Sequence, residues 1–66
     1  MFKNLIAEKA IHRLSNQRMA EIAGVSRPTF ESKMKNGHFT AIECWKLIRY
    51  FGKTFEYLFA TDDQSA

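Results

Sequence analysis

Helix start and stop signals alternate along this chain, and they constrain its fold more than any other feature of the sequence. Four Ser or Thr residues stand directly before segments of helical periodicity, where a hydroxyl can cap the first turn: Ser15, Ser26, Thr40 and Thr54. The three glycines, Gly24, Gly37 and Gly52, each stand at the end of such a segment. A residue without Cβ readily adopts the positive φ found at helix ends. The pattern predicts short helices joined by tight turns.

The apolar residues between these signals predict an all-α fold of five short helices, because no segment has the alternation of a strand. The predicted helices cover about residues 3–13, 16–23, 27–35 and 41–51, with a short fifth helix after Thr54. Glu43 completes a capping box with Thr40 at the start of the fourth helix. The expected inner faces carry Phe2, Leu5, Ile6, Ala10 and Leu14; Met19, Ala20 and Ala23; Val25, Phe30 and Met34; Ala41, Cys44, Ile48 and Phe51; and Phe55, Leu58 and Phe59.

The length and composition predict a single small domain. The chain has 66 residues, of which 45% are apolar, so a compact core is feasible without staples. We expect this domain to span residues 1–59. Residues 60–66 are expected to form a flexible acidic tail, because they follow the last apolar cluster and include Asp62 and Asp63.

The sequence also predicts a cytoplasmic location. The single cysteine, Cys44, cannot form an internal disulfide and suits a reducing compartment. No apolar run approaches the roughly 18 residues of a membrane span. Lys3, Glu8 and Lys9 interrupt the N-terminus, which argues against a signal peptide. We therefore expect no membrane partner.

Residues 15–30 are the most informative segment for function. They predict a short helix, a turn at Gly24, and a second helix that begins after Ser26 with a polar and basic first turn. Pro28 suits that first turn because its missing N–H would have no helical partner there. Two helices joined by a turn containing glycine are typical of the helix-turn-helix unit, whose second helix enters the DNA major groove.

The whole chain from about residue 3 to residue 59 resembles the Cro/repressor-type (Xre-like) helix-turn-helix family of phage and bacterial transcriptional regulators. The matching residues are Ser15, Ala20, Gly24-Val25-Ser26, Asn36-Gly37, Phe39-Thr40 and the segment from Phe51 to Phe59. The chain departs from the family pattern at Asn16, where the family has Gln, and it has about one extra residue between Ser26 and Asn36. The resemblance implies a lambda-repressor-like DNA-binding domain with the helix-turn-helix at helices 2 and 3.

The outer face of the third helix is the expected base-reading surface. Its candidates are Arg27, Pro28, Thr29, Ser32 and Lys33. The planar fork of Arg27 can bond guanine O6 and N7 together, and the ring of Pro28 can pack against a thymine methyl group. Glu31 could accept from cytosine N4 or could repel phosphate. On an arbitrary helix the same residues would be a solvated polar face; here the glycine turn and the family resemblance favour DNA contact.

A second set of residues is expected to bind DNA phosphates. Family members hold a phosphate at the start of the second helix, where free N–H groups and the helix dipole favour an anion. The candidates in this chain are Asn16, Gln17 and Arg18 there, and Lys35, Asn36, His38 and Thr40 in and after the third helix. The alternative is that these are ordinary solvated residues. The net charge of +3 supports attraction to a polyanion only modestly.

The fourth and fifth helices carry more apolar residues than a core of this size needs. The surplus predicts a weak homodimer interface that includes Ile42, Trp45, Tyr57 and Phe59. The alternative is that large aromatic side chains simply shield a small core. A dimer is also expected because one short helix reads too few base pairs for selective binding.

The expected function is therefore a Cro-like repressor that occupies a double-stranded DNA operator, in a phage or prophage setting. The alternative is a protein-binding adaptor, antitoxin-like or antirepressor-like, on the same scaffold. We expect no enzyme, because no nucleophile and base stand in a workable arrangement. We also expect no metal, no cofactor and no small-molecule effector, since His12, His38 and Cys44 match no zinc spacing.

Overall fold

Between residues 2 and 61, which a computed structural model describes, the chain forms five α-helices and no strand. The helices are α1 Lys3–Ile11, α2 Asn16–Ala23, α3 Arg27–Asn36, α4 Ala41–Phe51 and α5 Phe55–Leu58. The prediction of an all-α fold with five short helices is confirmed. Most of the predicted acidic tail, residues 62–66, lies outside the described residues.

The predicted caps account for most helix boundaries. Ser15 accepts a hydrogen bond from the N–H of Arg18 at the start of α2, and Ser26 accepts from Thr29 at the start of α3. Thr40 and Glu43 form the expected capping box of α4. The helix α1 ends earlier than predicted, at Ile11, and Arg13 adopts a positive φ of 55°.

The core is built from all five helices, with Leu5, Met19, Phe30, Leu47 and Leu58 at its centre. Several expectations about its members were wrong. Ile6 and Ala10 were expected on the inner face of α1, but both are exposed. Ala41 was expected on the inner face of α4 and Leu47 was not, whereas Leu47 is fully buried and Ala41 is exposed. Phe55 was expected to pack inward, but it is 54% exposed because it is the first residue of α5 and lies over the rim of the core.

A buried carboxylate joins α1 to α5. Glu8 is 4% exposed, and its Oε2 accepts a hydrogen bond of 2.9 Å from the hydroxyl of Tyr57. Its Oε1 lies 3.5 Å from Nε2 of His12. The side chain of Asn4 also donates to the backbone carbonyl of Tyr57, at 2.9 Å. These contacts give the four-residue helix α5 polar attachments to α1, in addition to apolar packing.

Candidate nucleic-acid interface

The turn between α2 and α3 determines the orientation of α3 relative to α2, and so the direction in which the outer face of α3 points. Gly24 ends α2 with φ +83°, and its N–H bonds back to the carbonyl of Ala20 at 2.8 Å. Ser26 then caps α3, so that only two residues separate the glycine from the first residue of α3, Arg27. Phe30 anchors α3 because it is almost completely buried.

Four of the five base-reading candidates on α3 are exposed, as that prediction requires. Arg27, Pro28, Thr29 and Ser32 all face solvent. The hydroxyl of Thr29 accepts a 2.8 Å hydrogen bond from the Ser26 hydroxyl, which holds this side chain at the helix start. The structure therefore leaves four of the five base-reading candidates accessible on the first two turns of α3.

Lys33, the fifth base-reading candidate, is oriented differently. Its side chain is only 18% exposed, and its Nζ lies 3.1 Å from Oε1 of Glu43. The same Nζ donates a 3.0 Å hydrogen bond to the carbonyl of His38. Lys33 therefore ties α3 to the start of α4 and is less accessible than the other four candidates, and its base-reading role stays a prediction.

Glu43 is held in its charged form by these partners. Partial burial raises the pKa of its carboxyl, but the hydrogen bond from the Thr40 N–H and the ammonium of Lys33 outweigh burial. The pKa therefore lies below its usual value. An ionised Glu43 explains why Lys33 turns toward α4, because the two opposite charges are close together and partly shielded from water, and so attract each other.

Glu31 is the centre of a small polar cluster that spans α2 and α3. Its Oε2 accepts a 2.9 Å hydrogen bond from Nδ2 of Asn16 and lies 3.3 Å from Nη1 of Arg27. The Asn16 hydrogen bond and the Arg27 charge hold the pKa of Glu31 below its usual value. Glu31 thus joins a predicted phosphate contact to a predicted base reader. Sequence spacing could have shown the Arg27 pair, which is i, i+4.

The other predicted phosphate contacts fall into two groups. At the start of α2, Gln17 and Arg18 are exposed, and both side chains reach Glu21, at 3.4 Å and 3.2 Å. After α3, Lys35 and His38 are exposed.

Asn36 and Thr40, the remaining phosphate candidates, already serve the local backbone. Oδ1 of Asn36 accepts a 2.8 Å hydrogen bond from the N–H of His38, and Oγ1 of Thr40 caps α4. Their side chains shape the turn between α3 and α4. His38 lies in this turn, and Lys35 lies just before it, in the last turn of α3.

The predicted dimer residues do not form one surface. Ile42, Trp45 and Tyr57 are exposed, whereas Phe59 is only 8% exposed and packs in the core. Phe59 therefore offers little surface to a partner in this structure, and its assignment to an interface stays a prediction. Phe55, which was expected to pack inward, stacks on Phe59 with ring centroids 5.2 Å apart and is exposed to solvent.

An apolar groove lies between α4 and α5 and has Phe55 and Trp45 at its edge. Its volume is about 480 Å³, and its lining consists of Phe2, Gly37, Phe39, Ala41, Cys44, Trp45, Ile48, Phe55 and Phe59. None of these side chains is charged, so the groove is the most apolar recess near the predicted interface. Burial raises the pKa of the Cys44 thiol at its floor, which keeps that group protonated and unreactive.

Comparison with known proteins adds no relative: no family model, no curated protein and no solved structure matches the chain. Between residues 2 and 61, no three His, Cys, Asp or Glu side chains come close enough together to hold a metal ion. No helix in the same range has the length and apolar character needed to cross a membrane.

Proposed function

We propose that this protein is a sequence-specific, double-stranded DNA-binding regulator that uses α2 and α3 as a helix-turn-helix. In this proposal α3 lies in the major groove and the start of α2 contacts the backbone. A Cro-like repressor that blocks transcription by occupying its operator is the simplest form of this function. Cytoplasmic location is part of the same proposal, because the DNA is there.

The observation that carries the proposal is the outer face of α3. Arg27, Pro28, Thr29 and Ser32 are exposed together on a short helix that is capped at its start and anchored by a buried Phe30. Arginine supplies a bidentate donor for guanine, while Thr and Ser supply short hydroxyl groups for base edges. A protein-docking helix would instead present large apolar anchors, and the described outer face of α3 presents none.

In the proposed complex with a selected site, Arg27 and Asn16 exchange partners. Both donate to the same oxygen of Glu31 in the free protein. A phosphate oxygen can replace that carboxylate for Asn16, and a guanine edge can replace it for Arg27. The two residues are thus held near each other before the DNA arrives.

We propose that a second copy of the chain recognises the second half-site of the operator. The two copies would form a weak homodimer through the apolar groove between α4 and α5. Exposed Phe55 at the edge of that groove can insert into the groove of the partner, because a two-fold axis makes such contacts reciprocal. The interface on a chain of this size is small, so adjacent half-sites on DNA are needed to favour the dimer.

The test begins with selection of binding sites from a random duplex pool. We expect an inverted repeat whose half-sites lie about one helical turn apart. Arg27→Ala should then cost about 1–3 kcal/mol on the selected site and relax the choice of one base pair. Lys35→Ala should weaken selected and random DNA by a similar factor, and Lys53→Ala, outside α2 and α3, serves as the charge-matched control.

Three outcomes would contradict the proposal. One is a pool that yields no preferred sequence. Another is a binding constant that stays flat as salt rises, because phosphate contacts must release counterions. The third is an Arg27→Ala variant that weakens selected and random DNA equally. The adaptor alternative predicts the first two outcomes together.

A further inference from the structure

A second recess, between α2 and α4, has a chemical character unlike the rest of the surface. It measures about 450 Å³ and is lined by Arg18, Ile22, Trp45, Lys46, Arg49 and Tyr50. Three of these six side chains are cationic and two are aromatic, and no described carboxylate belongs to the lining. The proposed contact of α3 with duplex DNA uses none of the residues that α4 contributes.

The cations of this basic-aromatic cleft are only partly neutralised. Glu21, just outside the lining, pairs with Arg18 at 3.2 Å. Lys46 and Arg49 have no carboxylate partner among residues 2–61. The Lys46 ammonium extends toward the turn at Gly24, where it lies 2.8 Å from the position that a Cβ would occupy. Two positive charges therefore remain available to an anion.

The aromatic side chains of the cleft are unusually open. Trp45 is 54% exposed and Tyr50 is 43% exposed. The guanidinium of Arg49 lies over the Trp45 ring, with its Cζ 4.8 Å from the ring centroid. Guanidinium and indole groups both stack on planar rings. The cleft thus offers a stacking surface and cations within one helical turn of α4.

These charges argue against a second copy of the chain as the occupant. A two-fold axis through Trp45 would bring Lys46 and Arg49 of each copy toward the same cations of the other. Like charges without counter-charges oppose association. The apolar groove between α4 and α5 lacks this conflict, which is why the dimer is assigned there and the basic-aromatic cleft is left for an anion.

We propose that the basic-aromatic cleft binds single-stranded nucleic acid, with an unpaired base stacked on Trp45 and the flanking phosphates held by Lys46 and Arg49. Exposed aromatic rings beside cations are the usual means of binding such strands without sequence preference. Duplex DNA cannot use the ring in this way, since its bases are already stacked on each other. The inference goes beyond the proposed function, because the ligand differs and neither Lys46 nor Arg49 takes part in the proposed duplex contact.

The test uses the fluorescence of Trp45, which is the only tryptophan of the chain. Oligonucleotides of about ten residues, oligo(dT) and oligo(rU), match the span of a small single-strand site. Titrating either into the full chain should quench the fluorescence to saturation, with an affinity that falls as salt rises. The two oligonucleotides distinguish DNA from RNA as the source of the strand.

Matched variants distinguish strand binding in the cleft from attraction to the positive charge of the chain as a whole. The double variant Lys46→Gln, Arg49→Gln should bind at least about tenfold more weakly. The double variant Lys9→Gln, Lys53→Gln removes the same charge elsewhere and should bind nearly as the parent does. Trp45→Leu, followed by the anisotropy of a labelled strand, should lose a similar factor with its thermal melt preserved, because Trp45 is largely exposed.

Several results would overturn the inference. Fluorescence that does not change with either strand would do so, as would equal losses in the two double variants. A fluorescence change that follows protein concentration alone, with no response to either strand, would report only the proposed dimer, whose groove Trp45 also lines, and would overturn the inference as well. The proposed function is tested separately by Arg27→Ala, which should leave single-strand binding intact whether or not it alters operator binding.

Discussion

Replacing Gly24 by alanine should destabilise the protein through the backbone of the turn between α2 and α3. Gly24 has φ +83°, a geometry that costs an L-residue about 1–2 kcal/mol. Alanine also restricts the unfolded chain, which returns roughly 0.4–1 kcal/mol. The net loss from the backbone is therefore about 1 kcal/mol, which corresponds to a fall of about 4–8 °C in Tm for a domain of this size.

The new methyl group adds a second, smaller effect. Its carbon would lie 2.8 Å from Nζ of Lys46, so that the ammonium must move. Because this atom ends a long flexible side chain, the movement costs little. Gly52→Ala is the matched control, since Gly52 has φ +65° and nothing within 4 Å of the added carbon. Gly24→Ala should therefore be destabilised slightly more than Gly52→Ala.

Urea unfolding followed by circular dichroism measures both variants on one scale. The excess loss in Gly24→Ala should disappear when Lys46 is truncated to alanine in both parent and variant, because the displaced group is then gone. If Gly24→Ala unfolds at the same urea concentration as the parent, the left-handed turn is wrong. In that case the spacing of α2 and α3 on which the proposed DNA contact rests is wrong as well.

Three further predictions concern other parts of the molecule. Glu31→Gln should release Arg27 and so raise the affinity for random duplex DNA at low salt; an unchanged affinity would contradict this, and Glu56→Gln is the charge-matched control. The hydrogen bond to Glu8 raises the pKa of Tyr57. This hydrogen bond therefore stabilises the fold fully below about pH 10, and the stabilisation is lost as pH rises through the folded-state pKa of Tyr57. Unfolding free energy should thus fall more steeply above pH 10 in the parent than in Tyr57→Phe, and parallel curves would refute the reasoning. Leu47→Ala should cost about 2–5 kcal/mol in urea unfolding, whereas a loss below 1 kcal/mol would show that the site is not closely packed.

The helix boundaries could be predicted because their causes are local. A hydroxyl at Ser15 or Thr40 satisfies N–H groups only three residues away, and Gly24 needs no distant partner for its positive φ. The bounds of α2 agree with the prediction at both ends, and those of α3 differ by one residue. Such signals depend on sequence spacing alone.

The choice of buried face could not be predicted with the same certainty, because it depends on distant elements. Leu47 and Ala41 are both apolar residues of α4, and only the position of α4 against α2 decides which one is enclosed. Glu8 would ordinarily be assigned to solvent. Its partner Tyr57 is 49 residues away, so no local pattern signals that the carboxylate is buried.

The candidate site also combines features that the sequence predicts with contacts that it does not predict. The sequence places Arg27 and Ser32 on the outer face of α3, and both side chains are exposed. Periodicity cannot show that Lys33 has an acidic partner in the next helix. Glu43 was expected only to cap α4, yet its carboxylate accepts from the Thr40 N–H and also pairs with Lys33.

The cluster around Glu31 bears on how the proposed DNA contact could be selective. Oε2 of Glu31 accepts hydrogen bonds from both Asn16 and Arg27. Each of these donors needs a new acceptor before it can leave Glu31. Random duplex DNA supplies a phosphate for Asn16 at every position, but it supplies the two acceptors of a guanine edge for Arg27 only at some. At the other positions Arg27 keeps Glu31, whose negative charge then stays near the phosphates and opposes binding. In the proposed contact, the pair would penalise wrong sequences as well as favour right ones, so discrimination would exceed what one attractive contact can give.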